Sequence, residues 1–136
     1  MTRRRLVDTN LIVRHLTQDH PEHSRAADEL FRACDDGRLK LIILPVVLAE
    51  CVFVLESFYQ HGREQISAAL RTLISSGGVE LIDNAVYRDA LDRYGKSNAH
   101  FIDCVIASYA LVQNLAISTF DEGFQKFGDV RIDNDC

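Results

Sequence analysis

The chain has 136 residues, enough for one domain of ordinary size, residues 1–136. Roughly a third of them are Leu, Ile, Val or Phe, well above the level of about a fifth below which chains stay disordered. The formal charge of −5 excludes a polybasic nucleic-acid binder that works by counterion release, but not an enzyme that meets nucleic acid through a bound cation.

The pattern alternates short apolar runs with longer amphipathic ones. Leu6-Val7 is a strand core ending at Asp8, and Asn10–Leu16 follows as a short helix. Pro21–Asp35 reads as a helix, with Pro at its first turn and Gly37 just past its end. Leu39–Leu44 is a buried strand, Pro45–Gln60 an apolar helix, and Arg63–Ser75 another helix stopped by Gly77-Gly78. Val79–Ile82 is a strand, and Asn84–Tyr94 and Phe101–Gln113 are helices. Leu115–Ser118 and Val130–Ile132 are short strands flanking one or two helical turns, Glu122–Phe127. Such alternation predicts an α/β fold, a parallel sheet covered on both faces, with the site beyond the carboxyl ends of its strands.

No segment is predicted to cross a membrane. The longest nearly uncharged run, Leu41–Leu55, is too short and is broken by Pro45 and Glu50. Asp8 interrupts what would be the apolar part of a leader, so the expected location is cytoplasmic. Cys34, Cys51, Cys104 and Cys136 form no CxxC pair and have no zinc spacing with His. They read as reduced thiols, two or three of them filling the core. His15, His20 and His23 read as solvated groups around a helix–helix turn.

Four acids stand out by placement. Asp8 closes the first strand. Glu50 is the only charge between Leu41 and Leu55, and Asp103 the only one between Phe101 and Val112. Asp121 follows the run Leu115–Ser118 and then Thr119-Phe120. Glu50 shares a helix face with Val47, Phe53 and Val54, and so is expected at the rim of the core. Asp103 shares its face with Ile106, Ala107 and Ala110. An ionised carboxylate is costly in apolar surroundings unless paired or metal-bound, and no Lys or Arg accompanies these four locally. Converging at one end of the sheet, they would repel one another, and a hard divalent cation would resolve that. Each also has a bland reading: Asp8 and Asp121 are good helix caps, and Glu50 or Asp103 could bond to backbone. The surrounding acids Asp28, Glu29, Asp35, Asp36, Asp89 and Asp92 read as surface.

The order strand-Asp8-Thr9-Asn10, then Leu-Ala-Glu50-Cys-Val, then Phe-Ile-Asp103-Cys-Val-Ile-Ala, then Ser118-Thr119-Phe120-Asp121, resembles the PIN domain. Within it the likeness is to the VapC-type toxins of bacterial toxin–antitoxin pairs, and it covers nearly the whole chain. The resemblance implies a three-layer α/β/α sandwich with a central parallel sheet. It implies ribonuclease activity dependent on Mg2+ or Mn2+, an RNA substrate, a homodimer, and a VapB-type antitoxin that occludes the site. Asp8, Glu50, Asp103 and Asp121 match the acidic positions. Thr119 matches the Ser/Thr before the last acid, and Asn10 the Asn of the opening motif. Many members carry a further acid two residues after the last; here that residue is Gly123, which leaves a second metal site in question. Rival readings are a receiver-like signalling domain, an aspartate-nucleophile phosphatase, and an inactive interaction domain. The first strand ends in one acid rather than two, and no Lys follows the last strand, which weighs against the first two.

Overall fold

The computed structural model describes residues 2–136. Strand β1 (Arg3–Leu6) leads into α1 (Thr9–Thr17) and α2 (Pro21–Asp35), then β2 (Leu39–Ile43), α3 (Pro45–Ser57), α4 (Arg63–Ile74) and β3 (Val79–Leu81). Helices α5 (Asn84–Lys96) and α6 (Phe101–Val112) follow, and a 3-10 turn spans Glu122–Lys126. The strands are parallel in the order β1-β2-β3, with Arg5 opposite Leu41 and Leu41 opposite Val79. Three parallel strands among six helices form the three-layer α/β/α fold that the alternation predicts.

Local chemistry sets the boundaries. Asp8 caps α1 through a hydrogen bond that its Oδ1 accepts from the Leu11 amide, and Gln18 ends that helix in the left-handed region. Pro21 opens α2 and Pro45 opens α3, where the missing amide hydrogen costs nothing. Gly78 has φ +77, and a Cβ there would lie 2.8 Å from Cys34 and from the Leu39 carbonyl, so only glycine fits between α2 and β2.

The core is continuous. Leu39, Leu41, Ile43, Val79 and Leu81 bury the inner face of the sheet against Leu48, Val52, Ile66 and Leu70. Alternate residues on the strands carry charge. Arg4 and Lys40 both pair with Glu80, at 3.1 and 3.4 Å, while Leu6 and Ile82 stay exposed. This face is wetter than the apolar strand runs imply. Helix α5 packs on both α4 and α6, and α1 on α2 and α3.

Two expected strands are not formed as such. Leu115–Ser118 and Val130–Ile132 contribute one isolated parallel bridge, Ile117 to Ile132, and do not join the sheet. Leu115 is exposed, and the segment packs through Ile117 alone onto Ala110 and Phe124. Nor are the histidines simply solvated. His15 stacks on Phe31 and bonds Asp28 at 2.6 Å, while His20 caps α2. Cys34, Cys51 and Cys104 are buried free thiols and Cys136 is exposed. Among the described residues, no helix is long and apolar enough to cross a membrane.

Candidate functional site

Asp103 lies in the first turn of α6, where the unpaired amides of the helix start favour negative charge. It is half-buried and makes no ion pair among the described residues. Asp121 caps the 3-10 turn, its Oδ1 accepting the Gly123 amide hydrogen at 2.7 Å. Its own amide donates to Thr119 Oγ1 at 2.9 Å. Thr119 is clamped in turn by Asn134, whose amide side chain accepts from the Thr119 N–H and donates to the Thr119 carbonyl. Asp103 and Asp121 come together on one hollow of about 200 Å³, with Asn98, Ala99, His100, Gly123, Lys126 and Phe127 as the other walls.

Asp8 and Glu50 form a second pair. Both are exposed, and the charge of each is felt at the buried Cys51 thiol. Burial, then the negative charges of Glu50 and Asp8, push that thiol up to about 12. Glu50 therefore faces water rather than the core rim: its helix face carries the exposed Val46 and Phe53. Beside Asp8, the Thr9 hydroxyl is buried with no hydrogen-bond partner among the described residues. Asn10 is exposed and lines a separate groove with Leu11, Arg14, Ala26, Ala27 and Leu30. Arg14 turns away from Asp8 to pair with Asp19 at 3.0 Å.

The convergence of all four acids is thus only partial. Among the described residues, no three His, Cys, Asp or Glu side chains are close enough to hold an ion. The reason is topological: Asp121 rides on a segment that does not join the sheet. The chemistry of the donors still suits a hard cation. All are oxygens, and magnesium is commonly held by one or two carboxylates together with substrate phosphate, the number that Asp103 and Asp121 supply.

Two arginines hold the walls of the hollow. Arg63 Nε donates to the Tyr94 carbonyl at 3.0 Å, its guanidinium lies 3.9 Å over the Tyr94 ring, and its terminal nitrogen donates to the carbonyl of Ala99. Arg93 donates to Asp89 at 2.7 Å and bidentately to Asp129 at 2.8 and 2.6 Å. It also lies over Phe127. Asp89, expected at the surface, additionally accepts from the buried Ser108 hydroxyl at 2.7 Å. Apart from Arg93 and Asp89, an i,i+4 pair on α5, these partners lie tens of residues apart or on different helices, so no local spacing reveals them. His100, Asn98 and Phe127 were likewise invisible as lining residues. Only the nearness of His100 to Asp103 in sequence hints at its place.

A fold of this class, with acids at the ends of its parallel strands and helices, agrees with a direct comparison: the PIN domain family profile matches residues 5–130. The chain belongs to the PIN domain family. It is similar to the VapC ribonuclease of Aquifex aeolicus (strain VF5), with 24% identity over 125 residues, 91% of this chain and 92% of that one. The crystal structure of VapBC2 from Rickettsia felis bound to a DNA fragment from their promoter aligns over 98% of both chains. Identity there is 20% and the TM-score 0.38, a loose match of backbones.

Proposed function

We propose that this chain is a divalent-cation-dependent endoribonuclease and the toxin of a cytoplasmic toxin–antitoxin pair. The observation that carries this reading is the hollow on which Asp103 and Asp121 meet with, among the described residues, no Lys or Arg in an ion pair with either. Membership of the PIN family and similarity to a VapC ribonuclease support it. In this reading Asp103 and Asp121 hold Mg2+ or Mn2+, and Asp8 and Glu50 extend the acidic site. Such a cation, when bound, lowers the pKa of water and neutralises charge on the phosphoryl oxygens.

The chain's own residues do the rest. Thr119 fixes the backbone of Asp121 through its Oγ1 and, clamped by Asn134, keeps that carboxylate facing the hollow. Asp8 uses one oxygen for its cap, while Oδ2 is free of hydrogen bonds among the described residues and adds its charge to the acidic site. The buried Thr9 hydroxyl beside it is a further polar atom in want of a partner. Asn10 borders an apolar groove between α1 and α2, and in this reading a VapB-type antitoxin occludes the acidic site. A homodimer completes the proposed assembly.

Purified protein incubated with RNA should cleave it in magnesium, stop on chelation, and lose activity as Asp103→Asn. Sequencing of RNA ends after brief induction in a bacterial host should then show recurrent cut sites. An Asp103→Asn protein that cleaves like its parent removes the hollow as the site, and unmutated protein that leaves RNA intact turns the reading toward an inactive interaction domain. The observation that favours that second reading is that, among the described residues, no three His, Cys, Asp or Glu side chains gather closely enough to hold an ion.

A further inference from the structure

The hollow carries one cation of its own. Lys126 is the only Lys or Arg among its lining residues. Although it shares the hollow with Asp103 and Asp121, it forms no ion pair within 4 Å among the described residues. By contrast Lys96, also exposed, is taken by Asp92 at 3.1 Å, and Lys40 by Glu80. A lysine placed to neutralise the acids would sit on them. Lys126 instead leaves its charge unspent at the rim of an acidic cavity.

Its placement is not that of a loose surface side chain. The residue lies between Phe124, 5% exposed and packed on Ala110 and Ile117, and Phe127, which lies beneath the Arg93 guanidinium. Arg93 is only 10% exposed and is bound bidentately to Asp129, so the backbone on both sides of Lys126 is pinned. Asn98 and His100, two hydrogen-bonding side chains, line the same hollow.

A polyanion approaching Asp103 and Asp121 meets repulsion, in a chain whose formal charge is already −5. One ammonium carried on a pinned backbone beside the carboxylates gives that polyanion a favourable register. We infer that Lys126 is the phosphate-binding residue of this hollow. It takes a phosphate of single-stranded RNA next to the one to be cut, with Asn98 and His100 facing the same nucleotide. This rests on the ribonuclease reading and names a substrate contact within it.

The test uses the full chain. In an Asp103→Asn background that cannot cut, binding of a short single-stranded RNA oligonucleotide is measured by fluorescence anisotropy across a salt series at fixed magnesium. Loss of one phosphate contact should lower the slope of log affinity against log salt by about 0.7. Lys126→Gln should therefore weaken binding evenly across sequences and flatten the slope by about that amount. Lys126→Arg should restore it, and Lys96→Gln should leave it unchanged. In the otherwise unmutated chain, Lys126→Gln should raise KM severalfold with kcat held. An unchanged slope with an unchanged KM overturns the inference. RNA left uncut by the unmutated chain overturns the ribonuclease reading instead, and the binding slope alone then decides whether Lys126 holds phosphate.

Discussion

Asp8 shows how one side chain can satisfy two demands. Its Oδ1 accepts the Leu11 amide hydrogen at 3.0 Å and starts α1, which is the structural reading of a lone acid after a strand. Its Oδ2 stays available in the proposed site. Asparagine caps helices as well as aspartate does, so Asp8→Asn isolates the charge. The variant should melt as the parent does, within the spread of a conservative surface change, yet lose about a hundredfold or more in RNA cleavage. Calorimetry and a cleavage assay on the same preparation check both halves; surviving cleavage returns Asp8 to the cap alone. Gly123 makes the complementary point. Its amide holds Asp121 Oδ1 at 2.7 Å, and a Cβ at that position would lie 2.9 Å from the same oxygen. The obstructing atom is the tip of a side chain on an exposed turn, so Gly123→Ala should not unfold the chain. It should instead displace the carboxylate and lower cleavage by about ten- to a hundredfold, since misplacing a reacting group by an ångström costs on that order. A melting temperature that falls along with activity would assign Gly123 to the fold instead.

Elements with their own local chemistry were legible in the sequence, and elements that depend on distant partners were not. Pro21, Pro45, Gly37 and the Gly77-Gly78 stop mark helix ends through φ restrictions that act within a few residues, and the helices fall where these mark them. Leu115–Ser118 has the apolar pattern of a strand, yet a strand needs a neighbour, and the free edge of β1 does not take it. Glu50 was placed by its helix face, but that face meets water because Val46 and Phe53 beside it are exposed too. The site was therefore legible as a set of residues and not as an arrangement. The Arg93–Asp129 arm of the clasp is out of reach of local reading, since the two residues are 36 apart. It also titrates. The hydrogen bond from Arg93, outweighing partial burial, holds the Asp129 carboxyl below the usual carboxylate range. A depressed carboxyl contributes stability that is present above its unfolded pKa of about 4 and is lost as pH falls through the lower folded value. Asp129→Asn should therefore be less stable than the parent by a constant amount near neutrality, and the two should converge as pH drops below about 4. Urea midpoints across that range measure it; a gap that persists unchanged at low pH would mean that the lost contribution is packing rather than charge.

At the scale of the molecule, the question is what covers the apolar residues that the monomer leaves out. The apolar residues of α3 and of α4 are the first candidates. The structure absorbs α4, whose Ile66, Leu70, Leu73 and Ile74 are all buried, and leaves the surplus elsewhere. On α3, Val46 is 70% exposed and Phe53 47%, but Glu50 stands between them on the same face, one turn from each. A dimer built on that face would take Glu50 out of water without a partner charge, which is expensive. Helix α6 offers the alternative: Ile102 and Ile106, one turn apart, are 45% and 39% exposed, and the acid nearest them, Asp103, is already half-buried and lines the hollow. A stable dimer of small subunits buries about 800 Å² on each, close to a tenth of this chain's 8188 Å² surface. The prediction is a dimer centred on Ile102 and Ile106, leaving the face of Glu50 open to substrate. Light scattering at micromolar concentration should give twice the chain mass for the parent and a monomer for Ile106→Glu, while Phe53→Glu should stay dimeric. Because Ile106 is exposed in the isolated fold, the monomeric variant should retain its circular dichroism. A parent that is already monomeric rejects the assembly, and dissociation by Phe53→Glu rather than Ile106→Glu moves the interface onto α3, where it would have to bury Glu50 and close the acidic site.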